Sequence, residues 1–95
     1  MPFYLGQRYV ANADQQRAIE QAERIRNAVR CAPMTARIRL VSTTFVPNEE
    51  WVFDLFEADS PAAVEHAYAQ GTVRYERVAE AIYLTETSST GRKPC

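Results

Sequence analysis

Residues 37–61 read RIRLVSTTFVPNEEWVFDLFEADSP, and this stretch decides the fold. Arg37 to Val46 is dominated by β-branched residues and alternates polar and apolar positions at its start, which is the composition of a strand. Pro47-Asn48 interrupts it with turn chemistry. Glu50 to Ala58 runs as a second strand, so the two segments form a hairpin across a short loop. Asp59-Ser60-Pro61 is a helix start. Ser60 offers an N-cap oxygen, and Pro61 falls at the first helical position, where its missing N–H costs nothing.

The flanking sequence completes the pattern. Asp14 to Arg30 contains no Gly or Pro, and Ala18, Ala22, Ile25 and Val29 recur at helical spacing with Ile19 widening the stripe. Asn12 or Asp14 is available as its N-cap, and Pro33 ends it. Before it, Phe3 to Val10 is an aromatic and aliphatic strand that starts just after Pro2. Beyond Pro61, the residues Ala63, Val64, Ala67 and Tyr68 make the apolar stripe of a second helix, with Gly71 placed to stop it. Val78 to Glu86 reads as the last strand. The order β-α-β-β-α-β is the split-βαβ signature of ferredoxin-like α+β folds. Right-handed crossovers then place both helices on one face of a four-stranded antiparallel sheet, with the first and third strands central and the second and fourth at the edges. The expected organisation is one domain over residues 1–86 and a flexible C-terminal tail over 87–95, whose Ser-Ser-Thr-Gly and Lys-Pro are loop chemistry.

Composition narrows the function classes. A hydrophobic fraction of 46% with 24% charged residues in 95 residues is that of one globular domain, not of a disordered chain. Eleven Lys+Arg against twelve Asp+Glu leave a net charge of -1, so bulk electrostatics do not drive nucleic-acid binding. No apolar run approaches the roughly 20 residues of a membrane helix, and the first residues lack a basic stretch followed by an apolar one; a soluble, cytoplasmic protein is expected. Two cysteines, Cys31 and Cys95, make no disulfide framework. With one histidine they fall short of the four ligands of a closed zinc site. Any metal ion would have to be shared across a dimer axis, and no metal or cofactor is assigned by these residues.

The two sheet faces carry a further message. Alternation puts Trp51, Phe53 and Leu55 on one face and Val52, Asp54 and Phe56 on the other. In the first strand Phe3, Leu5, Gln7 and Tyr9 oppose Tyr4, Gly6, Arg8 and Val10, and in the second Ile38 and Leu40 oppose Arg37, Arg39, Val41 and Phe45. Whichever face meets the helices, the other keeps large apolar side chains, each worth roughly 1.5–3 kcal/mol when buried. Such a face marks an interface or a ligand surface. Self-association through it, as in a dimeric α/β-barrel, is the expectation; cover by the C-terminal tail or by Val73–Arg77 is the alternative.

The stretch from Ser42 through Ile82 resembles a family of short bacterial ferredoxin-like proteins that carry a domain of unknown function and include a nickel-binding member. The resemblance rests on Pro2-Phe3-Tyr4-Leu5, on the junction Phe56-Glu57-Ala58-Asp59-Ser60-Pro61, on the helix-end Gly71 and on Arg77-Val78-Ala79-Glu80-Ala81-Ile82. It implies the same fold and a binding protein. This chain departs from the pattern in having only His66, and in carrying Asp54 where relatives often have a small apolar residue or cysteine.

Candidate site residues follow from chemistry out of place. Asp54 is a carboxylate among Phe53, Leu55 and Phe56 near the middle of a central strand, and it needs a partner, for which Arg8 and Arg39 are placed. Gly6 interrupts a bulky strand, which suggests close backbone approach, a bulge or ligand space. Tyr4, Gly6 and Arg8 can line one concavity with Asp54 on the open face, with Arg39 as a further ligand contact. His66, beside Glu65 at the edge of the second helical stripe, is the other candidate acid or base. Two functions are therefore expected in turn. The first is a small-ligand or metal-ion binding protein acting as a homodimer. The alternative is a cofactor-free isomerase, cyclase or monooxygenase of dimeric α/β-barrel type, with Asp54 and His66 as acid–base residues.

Overall fold

The strand that follows Pro2 is β1 (Phe3–Tyr9), and a short 3-10 turn (Ala11–Ala13) leads from it into helix α1 (Gln15–Arg30). Asp14 caps α1, its side chain accepting the Arg17 N–H, while Asn12 takes a left-handed φ of 64° in the turn before it. Strand β2 (Ile38–Val46), a 3-10 turn (Pro47–Glu49) and β3 (Trp51–Ala58) form the hairpin. Helix α2 (Pro61–Gln70) begins at Ser60, whose hydroxyl accepts the Ala63 N–H, and β4 (Arg77–Ala81) closes the sheet. These elements come from a computed structural model that describes residues 1–33, 36–82 and 84.

The sheet order is β2-β3-β1-β4, antiparallel throughout, so β1 and β3 are central and the split-βαβ arrangement is as the sequence predicts. Three local details differ from expectation. The last strand, expected over Val78 to Glu86, runs from Arg77 to Ala81, and residues 83, 85 and 86 of that expectation lie outside the described residues. Ala81 pairs with Phe3, the residue after Pro2, and a proline has no N–H with which to continue the ladder. The tail expected over 87–95 lies outside the described residues. Gly71 ends α2 with a right-handed φ of -80°, and it is Thr72 that turns the chain at φ 56°. Gly71 fits a close approach instead, since a Cβ there would stand a tight 3.1 Å from the Arg24 carbonyl oxygen where α1 passes α2.

The third difference matters most. Leu40 pairs with Phe56, but Ser42 pairs with Leu55, so Val41 is an extra residue in β2. This β-bulge shifts the alternation by one. Phe45, expected on the side of Arg37 and Arg39, instead shares the face of Ile38 and Leu40 and packs with Val10, Ala18 and Val52. Thr43 moves with it.

The helix-covered face of the sheet is the one carrying Tyr4, Gly6 and Arg8 of β1, with Val10 just beyond it, and Val52, Asp54, Phe56 and Ala58 of β3, all buried. Its apolar residues form two clusters. One gathers Tyr4, Phe56 and Ala58 under Ile25, Val64, Tyr68 and Val73; the other gathers Val10 and Val52 under Ala18. Tyr75 stacks on Tyr68, and with Val73 in the first cluster the segment after α2 therefore packs toward the helices and does not cover the opposite face. Among the described residues no helix is long and apolar enough to cross a membrane.

Deleting Val41 restores strict alternation and forces either Phe45 and Thr43 or Ile38 and Leu40 away from the helices. The deletion is expected to cost at least the burial of one large side chain, roughly 1.5–3 kcal/mol in urea unfolding. Val41→Ala, which keeps the residue count, should cost clearly less, and equal losses would mean that the bulge does not set the register.

Candidate functional site

Between the two apolar clusters lies a layer of polar side chains, one from each of five elements. β1 supplies Arg8 and β3 supplies Asp54, both with no solvent exposure. Arg8 Nε donates to Asp54 Oδ2 at 2.8 Å and Nη2 to Oδ1 at 3.3 Å, a fork on both carboxylate oxygens. Thr43 of β2 donates its hydroxyl to Oδ1 at 2.9 Å, which is possible only because the bulge turned Thr43 to this face. Tyr68 of α2 donates to Oδ2 at 2.7 Å. From α1, Gln21 Oε1 accepts from Arg8 Nη1 at 2.7 Å. Among the described residues no buried side-chain nitrogen or oxygen is left without a partner.

Gly6 explains itself in this layer. It stands opposite Asp54 in the β1–β3 register, and a Cβ at Gly6 would fall 1.9 Å from the Tyr68 hydroxyl oxygen. Only a bare backbone lets the phenol lie across β1 to reach the carboxylate. The close approach is by a side chain of this chain, so the space under Gly6 is filled. Burial, together with the charge of Asp54 and the hydrogen bond to it, pushes the Tyr68 phenol far above its usual range and keeps it protonated.

The candidate residues are thus rearranged. Tyr4, Gly6, Arg8 and Asp54 do share a face, but it is the helix-covered one, because the apolar stripes of α1 and α2 cover it; they line no concavity on the open face. The buried partner of Asp54 is Arg8, whereas Arg39 lies on the other face and pairs with Glu57 across the strands, its Nη2 2.7 Å from Oε1. His66 is two positions from both Val64 and Tyr68, which face the sheet, and so is exposed on the outside of α2. It borders an open cavity of about 590 Å³ that Cys31 and Gln70 also line, away from buried Asp54. Asp54 and His66 therefore do not act on one atom. Among the described residues no three His, Cys, Asp or Glu side chains come together as a metal site.

The open face carries Phe3, Leu5, Gln7 and Tyr9 of β1 beside Leu55, Phe53 and Trp51 of β3, with Ala79 and Ala81 of β4 in register. Leu5, Trp51, Phe53 and Leu55 are only half-buried although both helices lie on the far side. Trp51 meets Tyr9 edge to face with ring centres 5.7 Å apart, and the Tyr9 hydroxyl donates to Glu50, which holds the hairpin turn to β1 from a left-handed φ of 59°. The Arg39–Glu57 pair marks the opposite end of the apolar strip.

Sequence reasoning missed Gln21, Thr43 and Tyr68 as partners of the ion pair. Tyr68 left a signal, since a buried tyrosine hydroxyl requires a partner and the glycine opposite Asp54 provided the room. Thr43 left none, because the bulge that turns it inward follows from pairing and not from composition.

No protein-family model and no curated protein matches this chain. Among solved structures it is similar to SCO4226 from Streptomyces coelicolor A3(2), with a TM-score of 0.69 over 87% of this chain and 99% of that one, at 13% sequence identity. At this identity the likeness establishes the fold alone.

Removing one member of the buried pair leaves an uncompensated charge. Arg8→Met is expected to lose about 3–5 kcal/mol in urea unfolding, and a loss below about 1 kcal/mol would place the pair in contact with water. Tyr68 gives a pH signature. Its unfolded phenol ionises near pH 10 and its folded phenol does not, so its contribution is complete below about pH 10 and falls away as pH rises further. Melting temperature should therefore drop less steeply above pH 10 in Tyr68→Phe than in the parent chain; identical slopes would mean that Tyr68 titrates freely in the fold.

Proposed function

We propose that this chain is a small-ligand-binding protein that acts as a homodimer, two open sheet faces packing together to enclose the ligand. One observation carries the reading. Leu5, Trp51, Phe53 and Leu55, with Ala79 and Ala81, form a continuous apolar strip on a sheet whose helices are all on the other side. An antiparallel sheet that faces water on one side ordinarily alternates apolar-in and polar-out; this one is apolar on both. A contiguous apolar face of this kind is the mark of an interface. Charged residues border it, Arg39 and Glu57 at one end, Glu50 beside Tyr9 at the other and Arg77 on the edge strand β4 level with Gln7, as in a polar rim around an apolar centre.

Binding is favoured over catalysis by the state of the polar layer. Asp54 accepts from Arg8, Thr43 and Tyr68 and has no solvent exposure. A general acid or base must reach the proton it moves, and a carboxylate saturated by three partners under two helices does not reach a substrate.

Sedimentation equilibrium at micromolar concentration is expected to return the mass of two chains, and Phe53→Glu to return one, with helical circular dichroism unchanged. Trp51 is the one tryptophan and lies on this face, so its emission should shift to longer wavelength in the variant. A parent chain that sediments as a monomer overturns the reading.

A further inference from the structure

Arg17, Gln21 and Arg24 follow one another along α1 at spacings of four and three, and so share one face of the helix. Arg74 approaches the same place from the turn after α2, where Thr72 holds its left-handed φ of 56°. These four side chains line one open cavity of about 570 Å³, with Asp14 and Thr72 also on its wall. That volume is within the roughly 300–1,000 Å³ of small-molecule sites.

The charge there runs against the rest of the molecule. The chain as a whole carries -1, yet three guanidinium groups border this cavity against one carboxylate. That carboxylate is already engaged, Asp14 Oδ1 accepting the Arg17 N–H as the cap of α1. Among the described residues the guanidiniums of Arg17, Arg24 and Arg74 make no ion pair, whereas those of Arg8, Arg26 and Arg39 each do.

Gln21 ties the cavity to the buried layer. Arginine has donors only, so the bond from Arg8 Nη1 fixes Gln21 Oε1 inward. Gln21 also lines the cavity, and its amide NH₂ makes no hydrogen bond among the described residues, so it is left as a donor on a side chain held by buried Arg8. A pre-positioned amide donor among arginines is chemistry suited to anionic oxygen, since guanidinium groups grip phosphate and carboxylate by paired N–H bonds.

We propose that this cavity binds a small molecule bearing phosphate or clustered carboxylate groups, with Arg24 and Arg74 as its principal contacts, Arg17 as a further cation and Gln21 as an oriented neutral donor. The site goes beyond the sheet-face reading. It lies beside α1, with Tyr9 at the end of β1 also on its wall, and is complete within one chain.

Titration calorimetry with inorganic pyrophosphate in low-salt buffer tests it. Saturable binding of one pyrophosphate per chain is expected, weakened about tenfold or more in Arg24→Gln and in Arg74→Gln, the loss of one charge-assisted bond. Arg26→Gln removes the same charge from α1 where Glu23 pairs it, and should leave affinity within about twofold of the parent. Absence of saturable binding overturns the proposal, as does equal weakening in Arg26→Gln and Arg74→Gln, which would make the attraction diffuse. Sedimentation of the same samples separates the two readings: a dimer that ignores pyrophosphate sinks this site alone, and a monomer that binds it sinks the sheet-face dimer alone.

Discussion

A charge pair with no access to water sets the terms for the rest of this structure. Arg8 and Asp54 pair diagonally across the two central strands, and their mutual attraction offsets the cost of desolvation only if the remaining donors and lone pairs are also satisfied. Three neighbouring elements contribute to that requirement. α1 supplies Gln21, α2 supplies Tyr68 and β2 supplies Thr43. Because five elements each contribute one polar group at the same level, the core is laid down as apolar, polar and apolar layers that have to be in register together. A slip of one strand would bury unpaired groups, each costing about 1–3 kcal/mol, so the layer selects one packing.

Two departures from regular structure follow from this constraint. The Val41 bulge breaks the alternation of β2 so that Thr43 and Phe45 both turn inward. Gly6 breaks a bulky strand so that the Tyr68 phenol can cross it. Either feature alone looks like a weakness in a strand. Together with Asp54 they are the means by which a carboxylate in a small domain obtains three kinds of donor, and they show why a polar residue out of place on a central strand is not by itself a catalytic one.

The same layer organises the two surfaces to which function is ascribed. By drawing its polar groups under the helices, the sheet leaves its other face to Leu5, Trp51, Phe53 and Leu55, which a lone domain would expose to water. By fixing Gln21 through Arg8, it also sets a donor beside Arg17, Arg24 and Arg74 at the rim of α1. The apolar face and the cationic cavity meet at Tyr9, which packs on Trp51 at the end of the one and borders the other.

The amino-acid sequence by itself determined the order and type of the elements. Helical spacing in Ala18, Ala22, Ile25 and Val29, the β-branched run of Arg37 to Val46 and the Ser60-Pro61 start are local signals, and local backbone preference combined with one buried face is enough to define them. It also marked Asp54 and Gly6 as anomalous, since a carboxylate and a glycine in bulky strands stand out from their neighbours in the chain. What it left open was the direction in which those residues face. Alternation yields two sets of side chains for each strand but does not say which set meets the helices, and here both sets are apolar enough to serve. That choice belongs to the tertiary structure, where covering Arg8 and Asp54 required an acceptor from α1 and donors from α2 and β2 at once. The bulge, the partner of Asp54 and the gathering of Arg17, Arg24 and Arg74 were decided in the same way, by contacts between residues far apart in the chain.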